Sequence, residues 1–253
     1  MPKFPVSQDY AWPITIASFE ADRFRRLRPG AQLRLQQEVG EKHLAAAGLT
    51  YHEFYRMGAI FVVTRLSSKI YRAPVFEEEV LLTTWPRDIK GVQLFRCYRF
   101  SAPSGEPLID CTAAFAVVDT QSHRLMRPSI YMELCGVTNP GRRNGCADPG
   151  KIRLPEGLEK VGVRPVLFSD IDYNGHLNNT VYADFLSDFL PGGVSGREIT
   201  EFCINYEHEA VLGDTIEIFA RQEGDTVFFR GTHARGACFS ASCIVREAPE
   251  YTL

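Results

Sequence analysis

The chain has 253 residues, with 28 Lys and Arg against 31 Asp and Glu, a net charge of −3 and an isoelectric point near 6.1. That balance gives no general attraction to nucleic acid or to an anionic membrane. Apolar residues make up 45% and charged residues 23%, enough for one large core or two ordinary ones, and no stretch approaches the roughly 20 apolar residues of a membrane helix. With no basic, apolar leader at the start either, a globular cytoplasmic protein is expected.

Residues 31–47, AQLRLQQEVGEKHLAAA, are rich in helix formers and set Leu35, Val39 and Leu44 near one face. Strands follow at VFEEEVLLTTW from Val75, at GVQLFRCYRF (91–100) and at CTAAFAVVD (111–119). The stretch GVTNPGRRNGCADPGKIRLPEG, 136–157, holds eight glycines and prolines in 22 positions and lacks hydrophobic periodicity, so it reads as a connector. It implies an N-terminal domain over 1–137, a linker over 138–157 and a C-terminal domain over 158–253.

Past the linker, VGVRPVLF (161–168) reads as a strand. LNNTVYADFLSDFL (177–190) then reads as a helix, with Leu177, Val181 and Phe185 four apart and Leu186 and Phe189 widening the stripe. VLGDTIEIFAR from Val211, DTVFFRGTHA (225–234) and CFSASCIVR (238–246) echo the three earlier strands at shifts of 136, 134 and 127 residues. The order is kept while the loops shorten. Small residues in the last strand of each series, Ala113, Ala114, Ser240 and Ala241, let a helix pack close. The expected fold is α+β: two tandem hot-dog domains, each an antiparallel sheet wrapped around a long helix. Periodicity alone leaves another α+β arrangement open.

Between strand and helix lies SDIDYNGHLNNT, 169–180, with two aspartates, three asparagines and a histidine. Asp170, Asp172, Asn174 and Gly175 fall on positions one, three, five and six of an EF-hand loop, but position twelve is Val181, which offers no ligand where a bidentate glutamate is needed. Two readings remain from the residues: a polar turn with a helix cap, since Asp and Asn favour both, or a catalytic loop. Glu209, in YEHEAVLGD (206–214), is likewise a solvated strand residue or a working carboxylate. The seven cysteines, Cys97, Cys111, Cys135, Cys146, Cys203, Cys238 and Cys243, lack CxxC spacing and fit free thiols, with no zinc framework.

These motifs resemble those of the acyl-ACP thioesterases, double hot-dog enzymes that release fatty acids from acyl carrier protein (ACP). Asp172, Asn174 and His176 match the family's catalytic loop, followed by Asn178, Asn179 and Tyr182, and Glu209 matches its catalytic glutamate. GAIFVVTRL, 58–66, looks like its first-half strand. The resemblance covers about residue 10 to about residue 247. Many plant members carry cysteine directly after that glutamate. Here the position is Ala210, so carboxylates must do the work and Cys203 is expected to be a core thiol. In the first half FEADRFRRLRPGAQL, from Phe19, occupies the place of FSDIDYNGHLNNTVY, from Phe168, without an equivalent of Asn174 or His176. One active site is expected, with the first half left to shape the acyl pocket.

Thioester hydrolysis activates water, stabilises an oxyanion and releases a thiol, and it needs neither metal nor organic cofactor. Asp172 suits the base or nucleophile, and backbone N–H groups where a helix begins near Leu177 suit the carbonyl oxygen. Asn174 is expected to orient Asp172 or the water through its amide. His176 would hold the carbonyl or protonate the thiolate, and Glu209 would fix its tautomer or position water. Asp170 is read as structural, and the other histidines (43, 52, 123, 208 and 233) lack such a constellation, His208 pointing away from Glu209 on a regular strand.

ACP is acidic, and DRFRRLRPGAQLR, 22–34, concentrates Arg23, Arg25, Arg26, Arg28 and Arg34, either a docking patch or a solvated loop. Arg142 and Arg143 form a smaller group. Competing readings are an acyl-CoA thioesterase of the 4-hydroxybenzoyl-CoA thioesterase type, which has one hot-dog unit per chain, and a non-catalytic acyl-binding module. A fused pair already satisfies the usual hot-dog dimer, so a monomer or a further homo-oligomer are both compatible.

Overall fold

A computed structural model describes residues 1–248. The first half runs β1 (Tyr10–Thr15), α1 (Pro29–Ala45), α2 (Tyr51–Arg56), β2 (Ala59–Ile70), β3 (Glu79–Lys90), β4 (Gln93–Ser101), β5 (Pro107–Asp119) and α3 (Ser129–Cys135). The second runs β6 (Glu159–Pro165), α4 (Val181–Asp188), β7 (Arg197–Tyr206), β8 (Thr215–Glu223), β9 (Thr226–His233) and β10 (Gly236–Glu247). All strands join one antiparallel sheet in the order β1-β3-β4-β5-β2-β7-β10-β9-β8-β6. Read outward from the β2–β7 join, each half repeats the same order, so the sequence echo is an approximate two-fold axis. This is the expected double hot-dog. Among the described residues no helix is long and apolar enough to cross a membrane.

The helices lie on one face of the sheet and meet there. Pro29 opens α1 at a position where its missing N–H costs nothing, and the Gly30 N–H donates to Asp184 of α4 at 3.2 Å. α4 is shorter than predicted. Asn178 Oδ1 accepts from Thr180 N (2.9 Å) and Thr180 Oγ1 (2.8 Å), and Leu177 N donates to Ala210 O (2.8 Å), so local turn chemistry holds the chain non-helical up to Val181. Its eight residues still bury Tyr182, Ala183, Phe185 and Leu186 in a core shared with α1.

Phe239 packs against α4 and over Gly231 of β9, where an added Cβ would come within 2.2 Å of the ring. Gly231→Ala is therefore expected to destabilise by about 1–3 kcal/mol through overpacking. A lowered urea midpoint at unchanged slope is the expected reading, and an unmoved midpoint would contradict this packing.

The segment read as a connector is a strap pinned across the sheet face turned away from the helices. Asn144 Nδ2 donates to the carbonyls of Tyr98 (3.1 Å) and Cys111 (2.8 Å), and Gly145 N donates to Asp110 (2.7 Å). Ser67 then bonds the Ala147 carbonyl. Asn205 of β7 accepts from Ile152 N (2.9 Å) and donates to the Gly150 carbonyl (3.0 Å). The strap thus crosses β4, β5, β2 and β7, from one half to the other.

Candidate active site

Each half presents one loop built by the same hydrogen bonds. In the second half Asp172 N donates to His176 O (2.9 Å), Gly175 N to Asp172 O (3.0 Å) and Asn174 N to Asp172 Oδ1 (2.8 Å). In the first half Asp22 N donates to Arg26 O (2.8 Å), Arg25 N to Asp22 O (2.9 Å) and Phe24 N to Asp22 Oδ1 (2.8 Å). The bonds set a shift of 150 residues, one more than matching Phe19 to Phe168 implies. They place Asp22 at Asp172, Phe24 at Asn174 and Arg26 at His176. Backbone geometry is retained while the amide and imidazole side chains are lost. The left-handed position is Gly175 (φ 83°) in one loop and Arg25 (φ 66°) in the other, so only the second loop takes that turn without steric cost.

In the second loop the four anticipated residues come to one place. Asp172 is half-buried, with Oδ1 bound by the Asn174 N–H. His176 Nε2 lies 3.0 Å from Glu209 Oε2. Asp170 is occupied structurally, accepting from Leu167 N (2.9 Å) and Arg164 Nη2 (2.8 Å).

Three details differ from expectation. Glu209 is not on a strand: β7 ends at Tyr206, and the following segment is held by the Leu177 N to Ala210 O bond and a bridge between His176 and Val211. The strand argument for where His208 points therefore lapses. The N–H groups of Leu177 and Asn178 are consumed by the carbonyls of Ala210 (2.8 Å) and Asp170 (2.9 Å), so they are not oxyanion donors. Asn174 meets Asp172 through its backbone, and its amide oxygen accepts from Tyr51 Oη of α2 at 2.8 Å.

Tyr51 gave no signal in the sequence. It stacks edge-on with Tyr173 (centroids 4.6 Å apart), whose hydroxyl donates to Glu41 of α1 at 3.3 Å. The first half thereby grips the tip of the second half's loop. Burial raises both phenols above their ordinary range, keeping them protonated as donors. Tyr51→Phe is expected to lower kcat roughly 5- to 10-fold, the worth of about one neutral hydrogen bond orienting Asn174. A steady-state assay reads this, and an unchanged kcat would contradict the role.

The loop opens onto a cavity of about 1130 Å³ that runs into the first half beneath α1 and α2. Asp172, Asn174, His176 and Glu209 lie at one part of its wall, and Leu33, Phe61, Val63, Leu94 and Phe115 make much of the rest apolar. A second pocket, about 600 Å³, lies by the Asp22–Arg28 loop. Its arginines are largely spoken for: Arg26 is buried against Asp22 (3.3 Å) and Glu198 (3.7 Å), Arg28 bonds the Phe19 carbonyl, and Arg34 pairs with Asp184 (2.9 Å). Arg23 and Arg25 remain exposed, so the run is not a free five-arginine patch. Arg142 pairs with Asp9 (2.7 Å) and Arg143 with Asp148 (3.2 Å). All seven cysteines are free thiols. Cys203 is pushed up to about 11 by burial, which keeps it protonated and unreactive near neutrality.

A sheet that repeats about one axis, a helix against each half and a single polar loop opening on an apolar cavity define a fused pair of hot-dog units. The chain belongs to the acyl-ACP thioesterase family: residues 7–135 match the model of the acyl-ACP thioesterase N-terminal domain, and residues 159–237 that of the C-terminal domain. It is similar to the chloroplastic dodecanoyl-[acyl-carrier-protein] hydrolase of Cinnamomum camphora, 24% identical over 83% of this chain and 59% of that protein. The chloroplastic oleoyl-acyl carrier protein thioesterase of Coriandrum sativum is 23% identical over 76% of this chain and 56% of its own length. The chain thus spans less than two thirds of these relatives. The 12:0-ACP thioesterase from Umbellularia californica has the same fold, with a TM-score of 0.83 at 17% identity over 96% of this chain and 98% of that one. So does an acyl-ACP thioesterase from Bacteroides thetaiotaomicron, with a TM-score of 0.78 at 17% identity over 94% and 98%.

Proposed function

We propose that the chain hydrolyses fatty acyl-ACP to free fatty acid and holo-ACP, with Asp172, Asn174, His176 and Glu209 as its catalytic residues. The observation that carries this is the meeting of all four in the wall of the largely apolar cavity, with His176 Nε2 3.0 Å from Glu209 across 33 residues of sequence. In this reading the first domain, 1–137, shapes the acyl pocket and contributes no catalytic residue, and the second, 158–253, carries the chemistry.

The hydrogen bonds support one division of roles. With Oδ1 held by the Asn174 N–H, the second oxygen of Asp172 takes a proton from the attacking water as its oxygen bonds to the acyl carbon. Asn174, its amide oxygen held by Tyr51, turns its NH₂ donors toward the carbonyl oxygen as that becomes an oxyanion. His176 with Nε2–H on Glu209 has Nδ1 open. Protonated there and steadied by the carboxylate, it delivers the proton that the thiolate needs as the C–S bond breaks. The Asp172 proton then returns the imidazole to its starting charge, and the sum is thioester plus water to acid plus thiol.

The test is free-acid release by the purified chain from a panel of acyl-ACPs and the matching acyl-CoAs. Turnover of acyl-ACP well above acyl-CoA is expected. Equal or better use of the CoA esters would move the assignment to an acyl-CoA thioesterase, and acyl binding without turnover would leave a binding module.

A further inference from the structure

Part of the cavity wall beneath α1 is polar, and two buried side chains in it, Arg96 and Tyr131, present proton donors. Arg96 on β4 is 8% exposed and lines the cavity. Its Nη1 donates to His43 Nδ1 (3.0 Å) and Thr84 Oγ1 (3.2 Å), while Nε and Nη2 have no partner among the described residues. Neither partner carries charge. Burial, then the Arg96 charge, lowers His43 to about 4, and its Nε2–H goes to the Ser7 carbonyl at 3.0 Å. Thr84 gives its own proton to the Cys97 carbonyl at 3.0 Å. Tyr131 of α3, 4% exposed, lines the same cavity with a hydroxyl that has no partner. Burial raises its phenol while the Arg96 charge pulls the other way, so the two are neighbours and the phenol remains a donor.

Guanidinium keeps its charge at any ordinary pH, and a buried cation without a counter-charge is unfavourable until an anion or a strong acceptor meets it. A wall built for a plain hydrocarbon tail has no use for such a group. The position is distal to the chemistry: β4 is three strands from β7, whose Tyr206 hydroxyl holds the Asn179 carbonyl of the catalytic loop at 3.0 Å. Three strand spacings amount to about 14 Å.

We propose that the substrate is an acyl thioester whose chain carries an oxygen acceptor at its far end, a carboxylate fitting best, received by the free nitrogens of Arg96 and the hydroxyl of Tyr131. This rests on the thioesterase reading above.

The test compares acyl-ACPs of equal chain length ending in methyl, hydroxyl, ketone or carboxylate, in wild type, Arg96→Met and Tyr131→Phe. Carboxylate- or ketone-ended chains are expected to exceed the methyl-ended chain in kcat/KM by about 10-fold or more, because a donor site left unpaired discriminates against the bare chain. That ratio should collapse in Arg96→Met and shrink in Tyr131→Phe, which loses only an unpartnered hydroxyl and so keeps the fold if Arg96→Met does not. A wild-type preference for the methyl end, or a ratio unmoved in Tyr131→Phe and in any folded Arg96→Met, would overturn the proposal and leave the polar wall to ordered water. If no ester is hydrolysed, the thioesterase reading fails separately. Calorimetric binding of the corresponding non-hydrolysable pantetheine thioethers then decides this one by the same ratio.

Discussion

Asp172→Asn is expected to lower fatty-acid release from acyl-ACP by about 10²- to 10⁴-fold, the usual worth of a positioned general base. The loss should fall on kcat and kcat/KM alike, because the acyl chain is bound elsewhere along the cavity. Folding should be spared. An asparagine oxygen still accepts the Asn174 N–H now 2.8 Å from Oδ1, and the bonds that shape the loop, Asp172 N to His176 O and Gly175 N to Asp172 O, are backbone bonds. Asp22→Asn, at the matching place in the other loop, removes the same kind of carboxylate with Phe24 and Arg26 where Asn174 and His176 would be needed. It should leave the rate unchanged. Comparable losses in both variants would mean that the assay reports loop stability and not chemistry.

Asp110→Ala should cost about 2–4 kcal/mol of stability, because a fully buried carboxylate that accepts several hydrogen bonds is removed. Asp110 is fully buried and accepts from Arg99 Nε (2.7 Å) and Nη2 (2.8 Å), from Gly145 N (2.7 Å) and from Tyr71 Oη (3.1 Å). Its loss takes the acceptor from Gly145 N and the Tyr71 hydroxyl and unpins the strap that links the halves, while the Arg99 side chain, 36% exposed, can turn to water. Denaturant unfolding should show a lower midpoint, and the strap should become cleavable by protease near Gly145. A change below about 1 kcal/mol, the range of exposed pairs, would place this pair among surface interactions.

What could be read in advance was local. The DYNGH loop announces itself because its backbone bonds and its chemistry lie within a few consecutive residues, and α1 follows from the helix formers of 31–47, although the helix opens two residues earlier, at Pro29. The echo of Val75 at Val211 carried the duplicated architecture, although side-chain similarity misplaced the two loops by one residue until their hydrogen bonds set the register. α4 came out short because Asn178 bonds its own neighbours in competition with the helix. Tyr51 was illegible for a different reason: it reaches Asn174 across 123 residues from a six-residue helix with no distinguishing pattern. The arginine run shows the limit of counting charge, since Arg26 and Arg34 already had carboxylate partners that only the fold supplies.

The most direct test of the central claim is a crystal structure with a non-hydrolysable acyl-pantetheine thioether, in which CH₂ replaces the carbonyl, together with a matching ketone analogue. The acyl chain is expected in the 1130 Å³ cavity under α1 and α2. The ketone oxygen should lie within hydrogen-bond reach of the Asn174 amide and the reacting carbon beside Asp172, with the pantetheine leaving past His176 and Glu209. A chain seated instead in the 600 Å³ pocket by the Asp22–Arg28 loop, with the Asp172 loop untouched, would contradict the account.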